Sequence, residues 1–162
     1  MIHVRPAAPF DAGAMAALLA EIIAAGGTTA LAGPVTGDDL RDWMAEPGTL
    51  WHVAEEGGDV AGFQWIGPHP AEGACDIATF VDRRRHGLGT GGRLFEITAR
   101  AARAAGHAWI NATIRADNAG GLAFYRSRGF EPYDRETGHT LADGRTVDRV
   151  RMRYELSSAS RR

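Results

Sequence analysis

The chain has 162 residues, of which 44% are hydrophobic and 23% are charged, and its formal net charge is −2. This length and composition predict one globular domain that buries roughly 70% of the surface of the unfolded chain and needs neither a metal ion nor a disulfide to fold. All 18 cationic side chains are arginine. Schiff-base enzymes, pyridoxal enzymes and P-loop nucleotide-binding proteins are therefore excluded, because each of them requires a lysine.

Charge, cysteine content and hydropathy narrow the classes further. The slightly acidic balance argues against a nucleic-acid partner, which would need a basic face. The single cysteine, Cys75, cannot form an internal disulfide, and the chain has no apolar run of about 18 residues that could cross a membrane. Residues 1–10 lack the basic and then apolar order of a signal peptide. The sequence thus predicts a cytoplasmic protein with no membrane partner.

The first half of the chain is predicted to form three strands and two helices. Apolar residues recur every three or four positions from Ala14 to Ala25, which is typical of an amphipathic helix. Residues 56–59 read Glu-Gly-Gly-Asp and are typical of a β-hairpin turn. The predicted elements are a strand at residues 2–5, a helix capped by Asp11 and ended by Gly26 and Gly27, a helix that begins at Thr36 or Asp38 and ends at Pro47 and Gly48, and strands at residues 50–55 and 60–66.

The second half alternates strands and helices before it ends in two strands. Apolar residues repeat at helical spacing from Leu94 to Ala105, and Gly106 follows them as a helix stop. The predicted elements are a strand at Ala74–Val81, this helix, a strand at residues 108–114, a helix from Asn118 to Gly129, and strands at residues 130–137 and 147–156. The order βααβββαβαββ predicts a single α/β domain with a mixed sheet over residues 1–156, followed by a disordered polar tail at residues 157–162.

A glycine-rich loop joins the strand at Ala74–Val81 to the helix that follows. Glycines let successive backbone N–H groups turn toward one anionic group, and the helix behind them adds the positive end of its dipole. Three consecutive arginines, Arg83 to Arg85, precede the glycines and make the loop attractive to phosphate. The loop therefore predicts a site for a phosphate or diphosphate. A glycine-rich helix entry without a ligand, beside a solvated arginine turn, is the alternative.

The glycines also match the dinucleotide-binding pattern Gly-x-Gly-x-x-Gly, through Gly87, Gly89 and Gly92. A Rossmann loop directly follows its strand, opens its domain and has an acidic residue about 20 positions later. Here five residues separate Val81 from Gly87, and Asp117 comes too late. A nicotinamide oxidoreductase is thus the weaker alternative.

Two motifs in this region resemble one family. The stretch V-x4-H-G-x-G-x-G at residues 81–91 is similar to the acetyl-CoA loop V-x4-Q/R-G-x-G-x-G/A of the GNAT N-acetyltransferases. Residues 118–130, N-A-G-G-L-A-F-Y-R-S-R-G-F, resemble their N-x-x-A-x-x-F/L-Y-x-x-x-G-F helix, with Gly121 where alanine is common. The order of elements fits the family over nearly the whole chain. Residues 22–43 and 75–81 resemble, more loosely, its phosphinothricin-type acetyltransferases.

The resemblance implies the GNAT (acyl-CoA N-acyltransferase) fold, a mixed, mostly antiparallel sheet with helices on both faces and a splayed central strand pair. It implies acetyl-CoA as the acyl donor, with the diphosphate on the amides of the glycine loop and the pantetheine arm along the central strand as an added strand. The cofactor-binding residues that it implies are Thr79, Phe80, Val81, His86, Gly87, Leu88, Gly89, Thr90, Gly91, Gly92 and Asn118. It implies no metal ligand. His86 stands where the family has Gln or Arg, as a phosphate donor or as a turn residue.

The catalytic acid of the family falls on Tyr125, whose phenol, with an ordinary pKa of about 10, can protonate a departing thiolate. An aromatic that only packs under the loop is the alternative. The base is predicted at Asp76, directly or through water, with Glu21 and His69 as further candidates. Cys75 and Asp76 occupy the strand position where the family often has glutamate, and only one of them can match it because neighbours on a strand face opposite sides. An amine of low pKa would need no base.

These implications predict an acetyl-CoA-dependent N-acetyltransferase that moves an acetyl group to the primary amine of a small, amino-acid-like molecule by direct attack in a ternary complex. An acyl-CoA-binding sensor or interaction module without transfer activity is the alternative. The acceptor is predicted to bind among residues 26–36, the first two helices and residues 137–145. Arg135, Arg145 or an arginine of the central turn is predicted to hold its carboxylate. The resemblance also favours a homodimer.

Overall fold

The computed structural model describes residues 1–29, 31, 33–85 and 87–156. Within them the order of elements is the predicted βααβββαβαββ, with 3-10 turns added at Pro9–Asp11 and Arg83–Arg85. The strands are β1 (His3–Pro6), β2 (Leu50–Glu56), β3 (Asp59–Pro68), β4 (Ala74–Val81), β5 (Trp109–Arg115), β6 (Glu131–Thr140) and β7 (Thr146–Glu155). The helices are α1 (Ala12–Ala25), α2 (Gly37–Met44), α3 (Thr90–Ala104) and α4 (Ala119–Ser127). The predicted disordered tail, residues 157–162, lies outside the described residues.

Two residues predicted to lie in the last strands belong instead to the connections beside them. The N–H of Phe130 donates to the carbonyl of Tyr125 at 3.0 Å and so closes the end of α4. Gly129, with φ of 106°, reverses the chain there, as is typical of a helix C-terminus. Leu156 lies just beyond β7, and its N–H donates to the carbonyl of Ala108 at 2.8 Å. Both Phe130 and Leu156 are fully buried, because apolar packing rather than strand pairing places them.

Asp11 is predicted to cap α1, and that prediction is wrong. A 3-10 turn at Pro9–Asp11 precedes the helix, so the carboxylate turns away from α1. It accepts the N–H of Ala8 at 2.7 Å and both terminal nitrogens of Arg5 at 2.8 Å. Of the two predicted starts of α2, Thr36 is confirmed and Asp38 is not, because the Thr36 side chain caps the helix.

The strands described here form one seven-stranded sheet in the order β1-β2-β3-β4-β5-β7-β6. Every neighbouring pair is antiparallel except β4 and β5, which run parallel. Within the described chain, β4 and β5 are paired only at residues 74–76, opposite residues 109–111. Beyond this point the two strands diverge, and the edge of β4 is open along residues 77–81. The mixed, mostly antiparallel sheet with a splayed central pair is thus confirmed.

Two apolar cores lie on opposite faces of the sheet, because successive residues of a strand alternate between its faces. Helices α1 and α2 cover one face, where Phe63 and Phe80 are buried. Helices α3 and α4 cover the other, where Ile110, Tyr125 and Met152 are buried. None of the described helices is long and apolar enough to span a bilayer. The helices therefore sit on both faces, as predicted.

The variant Asp11→Asn tests the contact with Arg5. We expect it to lower the free energy of unfolding near neutral pH by about 1–3 kcal/mol, the cost of leaving a buried polar group without its partner. The hydrogen bonds from Arg5 lower the pKa of Asp11, so the carboxylate stabilises the fold above its ordinary pKa of about 3.9 and this stability is lost as the pH falls through the lowered value. Urea unfolding measures both effects, and the difference between variant and wild type should shrink in acid.

The matched control is Asp38→Asn, since Asp38 is exposed and pairs with Arg41 across one turn of α2. We expect little change in this variant. An equal loss of stability in both variants, or a difference that does not depend on pH, would contradict the role given to Asp11.

Candidate active site

A deep cavity opens where β4 and β5 diverge. Its volume is about 1130 Å³, above the roughly 300–1000 Å³ typical of small-molecule sites. Its walls are the open edge of β4, the glycine loop with the first turn of α3, the inner face of α4, and the connection between α1 and α2 at Thr28 and Thr29. The cavity has room for an elongated ligand and for a second, smaller molecule beside it.

Backbone N–H groups face the cavity at the start of α3. Gly87 and Gly89 have φ of 84° and 86°, a left-handed conformation that residues with a Cβ rarely adopt. The first hydrogen bond of the helix runs from the N–H of Arg93 to the carbonyl of Gly89 at 3.0 Å. In the part of the chain described, the N–H groups of residues 89–92 have no acceptor. Four donors at the positive end of α3 are therefore available to one anionic group.

The N–H of Leu88 is not among the available donors. Its N–H donates to the carbonyl of Arg85 at 3.3 Å, because the 3-10 turn at Arg83–Arg85 leads directly into the loop. Its side chain is 60% exposed and lies beside the cavity. The backbone of Leu88 thus supports the loop itself. His86 lies outside the described residues, and both of its predicted roles stay open.

Two glycines of the motifs are required by close contacts. A Cβ on Gly91 would lie 2.8 Å from Cε1 of Phe124, so the first turn of α3 packs directly on that ring of α4. A Cβ on Gly121 would lie 2.9 Å from Cγ of Asn118. The side-chain amide of Asn118 occupies the space of an alanine methyl group, which explains the glycine at this position of the second motif.

The three consecutive arginines differ in what they bind. Arg84 Nε donates to Asp82 at 3.1 Å, and Arg85 pairs with Glu56 at 2.6 Å. The hydrogen bonds from Arg84 lower the pKa of Asp82, whose carboxylate is almost completely buried. Arg83 is exposed, lines the cavity and forms no ion pair with the described residues. Of these three guanidinium groups, that of Arg83 is the one available to a phosphate.

Tyr125, the predicted acid, is buried under the cavity with its hydroxyl group held in place. The Tyr125 hydroxyl lies 2.8 Å from Oγ1 of Thr79, and Nε2 of Gln64 donates to the same Thr79 oxygen at 2.8 Å. Burial raises the pKa of Tyr125 to about 12, although the bond to Thr79 acts in the opposite direction. The phenol therefore stays protonated at neutral pH and can act as a hydrogen donor.

Asn118 joins α4 to the connection between α1 and α2. Its Oδ1 accepts the N–H of Gly121 at 2.9 Å, so the predicted helix cap is confirmed. Its Nδ2 donates to the carbonyl of Thr28 at 3.2 Å. Asn118 lines the cavity, and its bond to a cofactor arm stays a prediction.

Arg115 holds the same connection from the end of β5. Its Nη1 donates to the carbonyl of Thr29 at 3.2 Å, and its Nη2 pairs with Asp117 at 2.8 Å. Only 6% of the Arg115 side chain is exposed. Its hydrogen bonds lower the pKa of Asp117, so that carboxylate stays charged and balances the buried guanidinium.

Asp76, the predicted base, lies at the last paired position of β4 and β5. Asn111 Nδ2 donates to its Oδ1 at 2.8 Å, and Nε2 of His69 lies 3.9 Å from the same oxygen. Asp76 and His69 are outside the set of residues that line the cavity. Strand alternation also puts Asp76 on the face of β4 opposite to Thr79. Glu21, the remaining candidate, pairs with the arginine turn at 3.3 Å.

Cys75 is the second residue at the strand position where the family resemblance implies a glutamate. It is completely buried, and burial raises the pKa of its thiol to about 12. A thiol with such a pKa is inert near neutral pH. Of Cys75 and Asp76, only Asp76 can accept a proton there.

The segments predicted to hold the acceptor contribute unequally to the wall of the cavity. Ile22 of α1 and residues 28–29 line the cavity, whereas no described residue of 137–145 does. Arg135 and Arg145 form ion pairs at 2.9 and 2.8 Å with aspartates of their own hairpin. Neither of these arginines is directed to the cavity.

The amino-acid sequence matches the family model of the acetyltransferase (GNAT) domain over residues 47–132. This is more than half of the 162 residues, and it includes both motifs. The chain belongs to the GNAT acetyltransferase family. Its domain is thus that of an N-acetyltransferase, and the family predicted from the two motifs is confirmed. A comparison of this GNAT chain with curated proteins finds no match.

Solved structures share the fold of this GNAT domain over its whole length. A protein described as a candidate phosphinothricin N-acetyltransferase is 26% identical, with a TM-score of 0.85 over 98% of this chain and 100% of that one. The ribosomal-protein-alanine N-acetyltransferase from Brucella melitensis is 25% identical, with a TM-score of 0.86 over 94% and 99% of the two chains. A phosphinothricin acetyltransferase from Sinorhizobium meliloti, in complex with AcCoA, is 19% identical, with a TM-score of 0.86 over 99% and 92%. This last likeness shows the fold.

Gln64 of this GNAT domain is not among the site residues predicted from the sequence. The available signal was a single polar residue in the apolar run V-A-G-F-Q-W-I at residues 60–66. Strand alternation places Gln64 on the face opposite to Phe63, and the register pairs it with Thr79. A buried polar side chain needs a partner, and the partner here is the residue that contacts Tyr125.

The variant Arg115→Met tests the attachment of the α1–α2 connection. The N–H of Leu31 donates to Thr29 Oγ1 at 3.1 Å, so release of Thr29 should expose this amide. We expect hydrogen exchange at Leu31 to accelerate roughly tenfold or more, since a hydrogen bond to a charged group contributes about 1.5–3 kcal/mol. The control is Arg145→Met, which removes a guanidinium from an exposed turn. Equal exchange in both variants would show that Arg115 does not hold the connection.

Proposed function

We propose that this domain transfers the acetyl group of acetyl-CoA to the primary amine of a small, amino-acid-like molecule, by direct attack of the amine in a ternary complex. One observation carries the proposal: the open edge of β4 lies beside four N–H groups at the start of α3 that have no acceptor among the described residues. In a Rossmann fold the phosphate loop follows a strand that is paired on both sides, so no open strand edge lies beside the bound dinucleotide. The homodimer and the cytoplasmic location stay predictions of the sequence.

The residues of the cavity fit acetyl-CoA. The N–H groups of residues 89–92 suit its diphosphate, and Arg83 adds a positive charge near them. The open edge at residues 77–81 offers backbone groups to the pantetheine amides, as a neighbouring strand would. Bound in this way, acetyl-CoA supplies a thioester carbonyl that an amine can attack. The AcCoA complex of the enzyme from Sinorhizobium meliloti supports this assignment.

Tyr125 is proposed as the acid. It is fixed at the floor of the cavity by Thr79, and its raised pKa keeps it protonated when a thiolate departs. The transfer forms the C–N bond and breaks the C–S bond, whose electron pair goes to sulfur. Tyr125 then gives its proton to that sulfur, the amine nitrogen releases its proton to the base, and the Tyr125 phenolate is reprotonated through water. Pre-positioning of both substrates in the cavity contributes further to the rate enhancement.

Asp76 is proposed as the base, acting through water. It lies three residues before Thr79 on β4, a separation of roughly 10 Å at about 3.3–3.4 Å per residue, and on the other face of the strand. An amine that enters from the side of α1 and α2 would therefore lie between Asp76 and the thioester. The acid and the base would then work from opposite faces of the sheet.

The acceptor class is proposed from the names of the similar structures and from the walls of the cavity. Phosphinothricin is an amino acid, whereas the enzyme from Brucella melitensis is named for the alanine of a ribosomal protein. The connection at residues 28–29, which Arg115 and Asn118 hold, lines the cavity together with Ile22. The first name supports a small, amino-acid-like acceptor, and a protein terminus is the weaker candidate.

The variant Tyr125→Phe tests the acid. We expect kcat to fall by about 10²–10⁴-fold, the range of general acid–base catalysis, with little change in the KM for acetyl-CoA. Because an acid is active while it is protonated and the pKa of Tyr125 is about 12, wild-type kcat should not decline on the alkaline side up to about pH 10. Thiol release with a panel of amines measures both.

Tyr154→Phe is the control, since Tyr154 packs against Phe95 and Phe130 away from the cavity. It should keep wild-type kcat. Binding of acetyl-CoA without turnover of any amine, together with no effect of Tyr125→Phe, would favour an acyl-CoA sensor over an enzyme.

The pair Gly89→Val and Gly106→Val tests the binding loop. Both glycines have left-handed backbone, with φ of 86° and 93°, and open space where a Cβ would stand. Each substitution should cost on the order of 1–2 kcal/mol of stability or more, from backbone strain alone. Only Gly89 lies at the start of α3, so we expect Gly89→Val to weaken acetyl-CoA binding at least tenfold in calorimetry. Gly106→Val, at the far end of the same helix, should bind as wild type does.

Equal affinity of the two variants would remove the glycine loop from the binding site. Equal weakening would assign the effect to strain transmitted through α3 rather than to a blocked diphosphate site.

A further inference from the structure

A row of polar residues crosses the sheet beneath α3. His52, Gln64 and Thr79 are register partners on β2, β3 and β4, on a face that is otherwise apolar. Gln64 is completely buried, which costs free energy unless its amide is hydrogen-bonded. Its Nε2 donates to Thr79, while its Oε1 has no partner among the described residues. Among the described residues, the hydrogen bond to Thr79 is thus the one contact that offsets the cost of burying this amide.

The chemistry of the three side chains sets the direction of the hydrogen bonds. An amide nitrogen can only donate, so Oγ1 of Thr79 accepts from Gln64. The Thr79 hydroxyl keeps one hydrogen of its own, and the Tyr125 oxygen, 2.8 Å away, is the acceptor that the described structure offers it. Tyr125 therefore accepts from Thr79, and the phenol hydrogen is left for the cavity that Tyr125 lines.

We propose that Gln64 is a positioning residue which, through Thr79, turns the O–H of Tyr125 toward the sulfur of the bound thioester. This inference rests on the proposed function, since a hydrogen directed at that point serves a departing thiolate. Gln64 touches neither substrate; by donating to Thr79 it restricts the rotation of the Thr79 hydroxyl, whose hydrogen is then directed at the Tyr125 oxygen. Without Gln64, the phenol donates to Thr79 and its hydrogen is no longer directed at sulfur.

The same arrangement assists the reaction after the proton has moved. When Tyr125 gives its proton to sulfur, the phenolate that remains lies in a buried site, where a negative charge is costly. The O–H of Thr79 already points at the phenolate oxygen and stabilises it without rearrangement. This agrees with the direction in which Thr79 shifts the pKa of Tyr125, opposite to the effect of burial.

Three variants test the proposal by kinetics. Thr79→Val removes the hydroxyl and Gln64→Met removes the amide at similar volume, and we expect each to lower kcat about 10–100-fold with the KM for acetyl-CoA within about twofold. Thr79→Ser, which keeps the hydroxyl, should restore most of the activity. In the Tyr125→Phe background, neither Thr79→Val nor Gln64→Met should lower kcat further, because the group that they position is gone.

Thr98→Val is the matched control. Thr98 is as buried as Gln64, lies on α3 above the same face, and its hydroxyl has no partner among the described residues. The substitution is the same in shape as Thr79→Val, so a purely structural effect of burying a valine would appear in both. We expect Thr98→Val to keep wild-type kcat.

A titration tests the direction of the bond without any acetyl transfer. Difluorotyrosine placed at position 125 ionises at a lower pH than tyrosine, in a range where the fold persists, and its absorbance reports its pKa. If Thr79 donates to position 125, Thr79→Val removes a stabiliser of the phenolate and raises this pKa. If position 125 donates to Thr79, the same change lowers it.

The outcomes separate this inference from the proposed function. A raised pKa together with the loss of kcat supports both, and a raised pKa in a protein that acetylates no amine supports the orientation while the proposed function fails. A lowered or unchanged pKa overturns the orientation even if the enzyme is active. Wild-type kcat in Gln64→Met, with circular dichroism showing a folded protein, also overturns it.

Discussion

The functional part of the molecule depends on the divergence of β4 and β5. These parallel neighbours share register at residues 74–76 and 109–111 and then separate. Backbone groups that are removed from water need partners, so an opening of this kind in the middle of a sheet is normally closed by further pairing. Here the strands stay apart beyond residue 76 among the described residues, with Phe80 buried on one face of the sheet and Tyr125 on the other. In the proposed function, the pantetheine arm of acetyl-CoA takes the place of a neighbouring strand along β4.

The opening also determines where the helices begin. Helix α3 follows β4 and helix α4 follows β5, so one helix rises from each side of the gap. The contact between Gly91 and Phe124 brings the two helices together above it. The positive end of α3 is thereby held over the open edge, and Tyr125 of α4 reaches back under it to Thr79. The packing of two helices thus brings the proposed phosphate-binding amides and the proposed acid to the same cavity.

Much of this could be read from the sequence, since the features concerned are local. The glycine spacing, the cap at Asn118 and the alternation of β4 depend on neighbours within a few residues. What could not be read depends on residues far apart in the chain. Asp11 binds Arg5 instead of capping α1, and the N–H of Leu88 donates to the turn before it. Gln64 contacts Thr79 only because the register of the sheet pairs the two residues. Ion-pair partners were equally unpredictable, because Arg85 in its 3-10 turn pairs with Glu56 at the end of β2, 29 residues away in the chain.

The cationic side chains around the cavity have one further consequence. Arg83, Arg115 and Arg149 all lie on its walls, and all 18 permanently cationic side chains of this chain are arginine. A guanidinium stays protonated at all ordinary pH values and is a poor nucleophile. Burial lowers the pKa of a lysine ammonium, so that it becomes a neutral, nucleophilic amine. Walls of this composition attract anions and present no lysine amine to an activated acyl group. An acceptor amine therefore meets no lysine side chain as a competitor for the acetyl group.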